Sequence, residues 1–139
     1  LGRAAGARGA DLWLDGAHNP HAAAAVADFA RSLAAADGRP VALIVGLLAR
    51  KDARGVLAAL GGAADRLYVA GFGAEGAASP EALAQAAGRE GLPAQPFASA
   101  PAALEAELAR PGPAPHVILM GSLYLAGEIL GLSPETWPR

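Results

Sequence analysis

The sequence contains no cysteine, and its charged side chains are few and nearly balanced. Without a thiol the chain has no disulfide, no cysteine-ligated metal and no cysteine nucleophile. The 11 basic and 13 acidic residues give a formal net charge of -2 and a pI of about 5.9. This balance argues against a surface for nucleic acid or for an anionic membrane, so we expect neither partner.

Signals for membrane insertion and export are also missing. A membrane-spanning helix needs about 20 consecutive apolar residues, and the longest candidate run, 117–132, is interrupted by Gly121 and Glu128. The first ten residues lack the apolar core of a secretory signal. These absences predict a cytoplasmic protein.

The chain has 139 residues, of which 53% are hydrophobic, and many of the hydrophobic residues are alanine. This length is typical of one globular domain and suffices for a core without disulfides or a structural metal. We expect a monomer. Because the sequence opens on Leu1 rather than Met, we interpret it as a trimmed segment or a piece of a longer protein.

Short apolar runs that contain β-branched and aromatic residues alternate with longer helical patterns. The predicted strands are 11–15, 40–47, 66–70, 94–97 and 116–121. The predicted helical segments, caps included, are 21–37, 52–60, 79–91, 99–110 and 122–130. Such alternation predicts right-handed βαβ units. The fold class we predict is α/β: a Rossmann-like, doubly wound, mainly parallel sheet of five to six strands with helices on both faces.

Polar residues directly after the first predicted strand form the first candidate site. Asp15 ends that strand, where a carboxylate can accept hydrogen bonds from the hydroxyls of a ribose, and Gly16 lets a ligand approach the backbone. His18 and Asn19 precede a helix, whose free N–H groups favour anions. The alternative is a structural turn, in which Asn19 caps the helix and Asp15 bonds its own loop.

Two further loops carry candidate residues. Ser122 follows the last predicted strand, where its hydroxyl and the neighbouring amides could hold a carboxylate or phosphate, or where it could merely cap a helix. Lys51, the only lysine, lies in the loop after the second strand. It could contact an anion or remain a solvated charge.

Two other patterns indicate no site. Residues 71–76 match G-x-G-x-x-G, but the next helix does not begin until Ser79 and no acidic residue closes the following strand. His18 and His21 have a spacing that could bind zinc, yet no third ligand lies nearby. The chain also lacks a phosphate-loop motif and the G-x-S-x-G of hydrolases. We predict no metal site in this chain.

Three segments, taken in order, resemble the motifs of one known family. They are Leu14–Pro20 (LDGAHNP), Gly46–Asp52 (GLLARKD) and Gly121–Glu128 (GSLYLAGE). They are similar to the C-terminal domain of folylpolyglutamate synthase/dihydrofolate synthase, in the Mur ligase superfamily. The resemblance covers roughly 12–130. It implies that residues 1–10 are a linker from a missing N-terminal ATPase domain and that 11–139 form a Mur ligase C-terminal-type domain.

The resemblance also implies an activity. The parent would be an ATP-dependent ligase that joins L-glutamate to dihydropteroate or to a folylpolyglutamate through an acyl phosphate, releasing ADP and phosphate. Catalysis would rest on positioning and on charge stabilisation, with magnesium offsetting the phosphate charge. By position, Asp15 and Asn19 resemble nucleotide-binding residues, and His18 resembles a catalytic residue of the interdomain cleft. Ser122 and Lys51 resemble parts of the glutamate pocket.

The chain departs from that family in two respects. The phosphate loop, the magnesium ligands and a modified lysine belong to the N-terminal domain, so we expect the isolated chain to be inactive. An Arg-containing segment of many relatives is missing around 75–79. Two alternatives stay open, the C-terminal domain of a cell-wall Mur ligase and a stand-alone nucleotide- or protein-binding module.

Overall fold

Six strands and four helices make up the part of the chain that this computed structural model describes, residues 2–7 and 9–121, with 2–7 described as backbone only. The strands are β1 (Gly2–Ala7), β2 (Ala10–Asp15), β3 (Val41–Val45), β4 (Arg66–Ala70), β5 (Gln95–Phe97) and β6 (His116–Met120). The helices are α1 (Pro20–Asp37), α2 (Ala53–Leu60), α3 (Pro80–Arg89) and α4 (Ala100–Leu108). From β2 onward one helix separates each strand from the next.

The six strands form one sheet in the order β1-β2-β6-β3-β4-β5. β1 pairs antiparallel with β2, and all the other pairs are parallel. The crossovers through α1, α2 and α3 step in one direction along the sheet, whereas the crossover through α4 returns and places β6 between β2 and β3. This arrangement confirms the predicted doubly wound, mainly parallel α/β fold.

The sheet separates two apolar layers. On one face α1, α2 and α3 cover Leu43 and Ile118, and on the other face α4 covers Ile44 and Leu119. Because side chains alternate between the faces of a strand, β3 and β6 are buried along their whole length. Helices therefore lie on both faces, as predicted.

Each described helix begins at a side-chain cap. Asn19, Asp52, Ser79 and Ser99 each accept a hydrogen bond from the backbone N–H three residues further on. Such a cap satisfies a helix N–H that has no partner within the helix. Gly38, with φ of +69°, ends α1. Within the described ranges, no helix is long and apolar enough to cross a membrane.

Residues 2–7, which lie in the segment expected to be a linker, form a strand that the sequence did not predict. They form β1, which pairs with β2 in a register that sets Gly2 opposite Leu14 and Ala7 opposite Ala10. The pairing uses backbone groups at the edge of β2, and so it needs no apolar side chains from the Gly-, Ala- and Arg-rich strand. The predicted helix over 122–130 lies outside the described residues.

Arg39 ties together the edge of the sheet at which the parallel strands begin. Its guanidinium donates hydrogen bonds to the backbone oxygen of Ala114 (2.7 Å) and to the carboxylate of Asp11 (3.1 Å). Nearby, Nε2 of the buried His116 lies 2.8 Å from Oδ2 of Asp37. The hydrogen bond from the backbone N–H of Arg39, together with the contact to His116, lowers the pKa of Asp37.

A second polar cluster holds α4 against β4. The carboxylate of Glu107, whose side chain is 0% exposed, accepts two hydrogen bonds from the guanidinium of Arg66 and one from the hydroxyl of Tyr68. A buried carboxylate is tolerated when it is paired and hydrogen-bonded in this way. Burial and the bond to Glu107 raise the pKa of Tyr68 to about 12.

Candidate functional site

The candidate site lies at the edge where the parallel strands end. Because β6 lies between β2 and β3, the loops that follow these three strands meet there. The backbone N–H of Gly121, directly after β6, donates to the oxygen of Asp15 (3.3 Å), and the N–H of Gly46 donates to the oxygen of Met120 (3.1 Å). In sheets of this type ligands bind outside the carboxyl ends of the strands.

Asp15 and Asn19 shape the loop between β2 and α1. Oδ1 of Asp15 accepts a 2.7 Å hydrogen bond from the N–H of Ala17, and Oδ1 of Asn19 accepts a 2.8 Å bond from the N–H of Ala22. The segment therefore forms the structural turn that the sequence offered as an alternative, with Asn19 as the helix cap and Asp15 bonded to its own loop. In the described ranges Oδ2 of the half-buried Asp15 has no hydrogen bond within the protein. His18 is exposed beside it.

The loop after β3 lies next to the start of α1. Leu47 is fully buried, while Asp52 caps α2 by accepting a 2.9 Å hydrogen bond from the N–H of Gly55. A Cβ on Gly55 would lie 2.7 Å from Cγ of Pro20, so the absence of a side chain there lets the first turns of α1 and α2 meet. The half-buried Lys51 precedes this junction.

The sequence did not predict a cleft that lies next to this loop. The backbone N–H of Ala49 donates to the oxygen of Gly76 (2.7 Å), and the N–H of Ala78 donates to that of Leu47 (2.8 Å). These bonds join the loops after β3 and β4 around an open cleft of about 690 Å³, with Arg50 on one wall and Glu75 on the other. The segment 71–76 thus pairs with a neighbouring loop, and α3 begins only at Pro80.

The structure brings most of the predicted site residues to one edge. Asp15, His18 and Asn19 lie on the loop that enters α1, and Lys51 lies on the loop that enters α2. Ser122 lies outside the described residues. In the described ranges no group of three or more acidic or histidine side chains could hold a metal ion. The pairing of residues 47–49 with 76–78 was missed, because no local pattern marks hydrogen bonds between two loops.

Comparison with known proteins identifies the family. Residues 2–123 match the family described as Mur ligase, glutamate ligase domain. Among solved structures, a bifunctional folylpolyglutamate synthase/dihydrofolate synthase from Yersinia pestis, complexed with AMPPNP and Mn, superimposes with a TM-score of 0.72 at 27% identity, covering 88% of this chain and 28% of that one. E. coli FolC in complex with DHPP and ADP superimposes with a TM-score of 0.75 at 29% identity. The match covers 88% of this chain and 28% of that one.

A third solved structure agrees with these two. The folylpolyglutamate synthase of Mycobacterium tuberculosis complexed with ADP and AMPPCP gives a TM-score of 0.68 at 26% identity, covering 93% of this chain and 30% of that one. No curated protein matches the sequence significantly. The chain spans less than a third of the length of each of these solved relatives. The family match over nearly the whole chain confirms the resemblance: the chain belongs to the family of Mur ligase glutamate ligase domains.

Proposed function

We propose that this chain is the glutamate ligase domain of an ATP-dependent enzyme that joins L-glutamate to dihydropteroate or to a folylpolyglutamate. In the proposed reaction the substrate carboxylate takes the γ-phosphoryl group of ATP, which gives an acyl phosphate and ADP. The amine of glutamate then attacks the acyl carbon, and phosphate leaves as the amide bond forms. The N-terminal ATPase domain in cis would supply the phosphate loop.

One observation carries this proposal. The loops 16–19 and 46–52 and the residue that follows β6 meet at one edge of a sheet that superimposes on folate ligases. These are the segments whose motifs resemble that family. A ligase that transfers a phosphoryl group and then couples two substrates depends on holding them in one place, because positioning supplies much of the rate.

Each group at this edge has a proposed role. Asp15 uses Oδ1 to close its own turn, and its second oxygen can accept a hydrogen bond from a ribose hydroxyl. Asn19 acts through the loop that it caps, because its side chain accepts the N–H of Ala22 and holds the first turn of α1 at this edge. His18 faces solvent, where a second domain could meet it. Lys51 and Ser122 are proposed to bind the carboxylates of glutamate.

We propose that magnesium binds outside this chain in the whole enzyme. The resemblance to folate ligases implies that the metal that accompanies ATP is held by the ATPase domain. The role proposed for this chain is to bind and orient the nucleotide and glutamate.

The test uses the whole protein encoded by the reading frame that contains this chain. We expect ADP release that depends on both L-glutamate and dihydropteroate or a folate. Asp15→Ala should raise the KM for ATP with less effect on that for glutamate. Asp28→Ala, which removes an exposed carboxylate on α1, is the matched control and should change neither KM. A whole protein that binds ATP but forms no amide bond with glutamate would overturn the proposal.

A further inference from the structure

Gly121 occupies a place in which no other residue fits. It is buried, and its φ of +119° is a conformation that residues with a side chain rarely adopt. A Cβ built on it would overlap the carbonyl oxygen of Gly46 and would lie 2.8 Å from the carbonyl carbon. The obstacle is a backbone peptide, which cannot swing aside as a flexible side chain could.

This contact lies at the meeting point of three chain segments. The N–H of Gly121 donates to the oxygen of Asp15 at the end of β2, while Gly46 donates to the oxygen of Met120 at the end of β6. The separation between the loops after β2 and β3 is thus bridged by one residue without a side chain. Ser122 is the next residue in the sequence.

We propose that Gly121 is a positioning residue, whose missing side chain sets the spacing between the Asp15–Pro20 loop and the Gly46–Asp52 loop. The consequence for catalysis rests on the proposed function, since these loops carry the groups assigned to the nucleotide and to glutamate. The spacing itself is a property of this chain and can be measured without any substrate.

The variant that tests the spacing is Gly121→Ala, and the chain offers a matched control. Gly112 has a similar φ of +108°, but a Cβ there would meet nothing within 4 Å. Gly112→Ala therefore reproduces the backbone strain of the substitution without the collision. Any difference between the two variants reports the contact with Gly46.

Amide chemical shifts of the 139-residue chain provide the first readout. With Gly121→Ala we expect displaced signals on both flanking loops, at Gly16 and Ala17 and at Gly46 and Leu47. Gly112→Ala should leave these four signals in place. Signals that stay put in a folded Gly121→Ala chain would overturn the proposal.

The unmodified chain provides a second measurement that does not depend on the variant folding. A Cβ added to Gly121 would lie 3.2 Å from the backbone nitrogen of Gly46. In glycine an α-proton takes the place of the Cβ, so this proton points toward the same nitrogen. We expect a nuclear Overhauser effect between an α-proton of Gly121 and the amide proton of Gly46. Its absence in the folded chain would contradict the close approach on which the proposal depends.

The catalytic consequence is measured in the whole protein as the ratio of ADP released to amide bonds formed. Displacing one substrate by about 1 Å can slow coupling about 100-fold, and an acyl phosphate that waits too long is hydrolysed by water to carboxylate and phosphate. Gly121→Ala should therefore raise the ratio above that of the unmodified protein and of Gly112→Ala.

This ratio is unaffected by loss of folded enzyme, so it separates positioning from stability. An unchanged ratio in an active Gly121→Ala enzyme would overturn the positioning role. If the unmodified whole protein forms no amide bond at all, the proposed function fails, while the amide shifts and the Overhauser effect still decide whether Gly121 sets the spacing.

Discussion

The hydroxyl of Tyr68 donates a 2.6 Å hydrogen bond to the carboxylate of Glu107, which is buried between α4 and β4. The same carboxylate binds the guanidinium of Arg66. α4 is the only described helix on its face of the sheet, so these three side chains fix its position on a layer that is otherwise apolar.

Replacing Glu107 with Gln should destabilise the domain. The change removes the negative charge of the carboxylate to which Arg66 and Tyr68 donate hydrogen bonds. A hydrogen bond to a charged group contributes about 1.5–3 kcal/mol to the free energy of unfolding. Urea unfolding at neutral pH measures the loss. Glu90→Gln, which breaks an exposed pair with Arg54, is the control and should cost less than about 1 kcal/mol. Equal losses would show that burial of Glu107 does not strengthen its interactions.

Tyr68 should ionise only near pH 12. Because the folded state favours the neutral phenol, this residue contributes stability that is complete below its unfolded value of 10.0 and is lost as pH rises toward about 12. Ultraviolet difference absorption follows phenolate formation. Tyr68→Phe should remove the late phase of that titration, and an unchanged titration in this variant would contradict the assignment.

Asn19→Ala should lower the stability of the domain by about 1 kcal/mol, because the first turn of α1 loses its cap. Asn19→Asp keeps an oxygen acceptor at the same position and should retain most of the stability. Chemical denaturation compares the two variants with the original chain. If both variants were equally destabilised, the amide group of Asn19 would have a role besides the cap.

The pH dependence of stability should include a contribution from Asp37. Its pKa is lowered, chiefly by the hydrogen bond from the backbone N–H of Arg39, so the stabilisation is present above the ordinary value of 3.8 and is lost as pH falls through the folded value. Asp37→Asn should be less stable than the original chain at neutral pH, and the two should converge in acid. Unfolding measured at several pH values tests this, and a gap that persists in acid would contradict it.

The sequence predicts those elements whose signals are local. The runs that became β3 and β6 are short, apolar and β-branched, which is typical of strands buried on both faces. The caps Asp52 and Ser79 stand directly before the helices that they begin. Local signals of this kind sufficed for the fold class and for the strands that carry the site.

The features that sequence analysis missed depend on contacts between distant segments. β1 has no apolar pattern, and its strand conformation comes from backbone pairing with β2. The cleft between Arg50 and Glu75 exists only because two loops pair after the sheet has formed. The close approach of Gly121 to Gly46 likewise requires β6 to be in place between its neighbours.

β6 also constrains the order in which the molecule can fold. It is the last strand of the described chain, yet it pairs on one side with β2 and on the other with β3. During synthesis, the edge of β2 that pairs with β6 stays unpaired until a strand more than 100 residues further along the sequence has been made. Pairing over such a separation slows folding, so a ribosome stalled before residue 116 would hold two unpaired strand edges that are prone to aggregate.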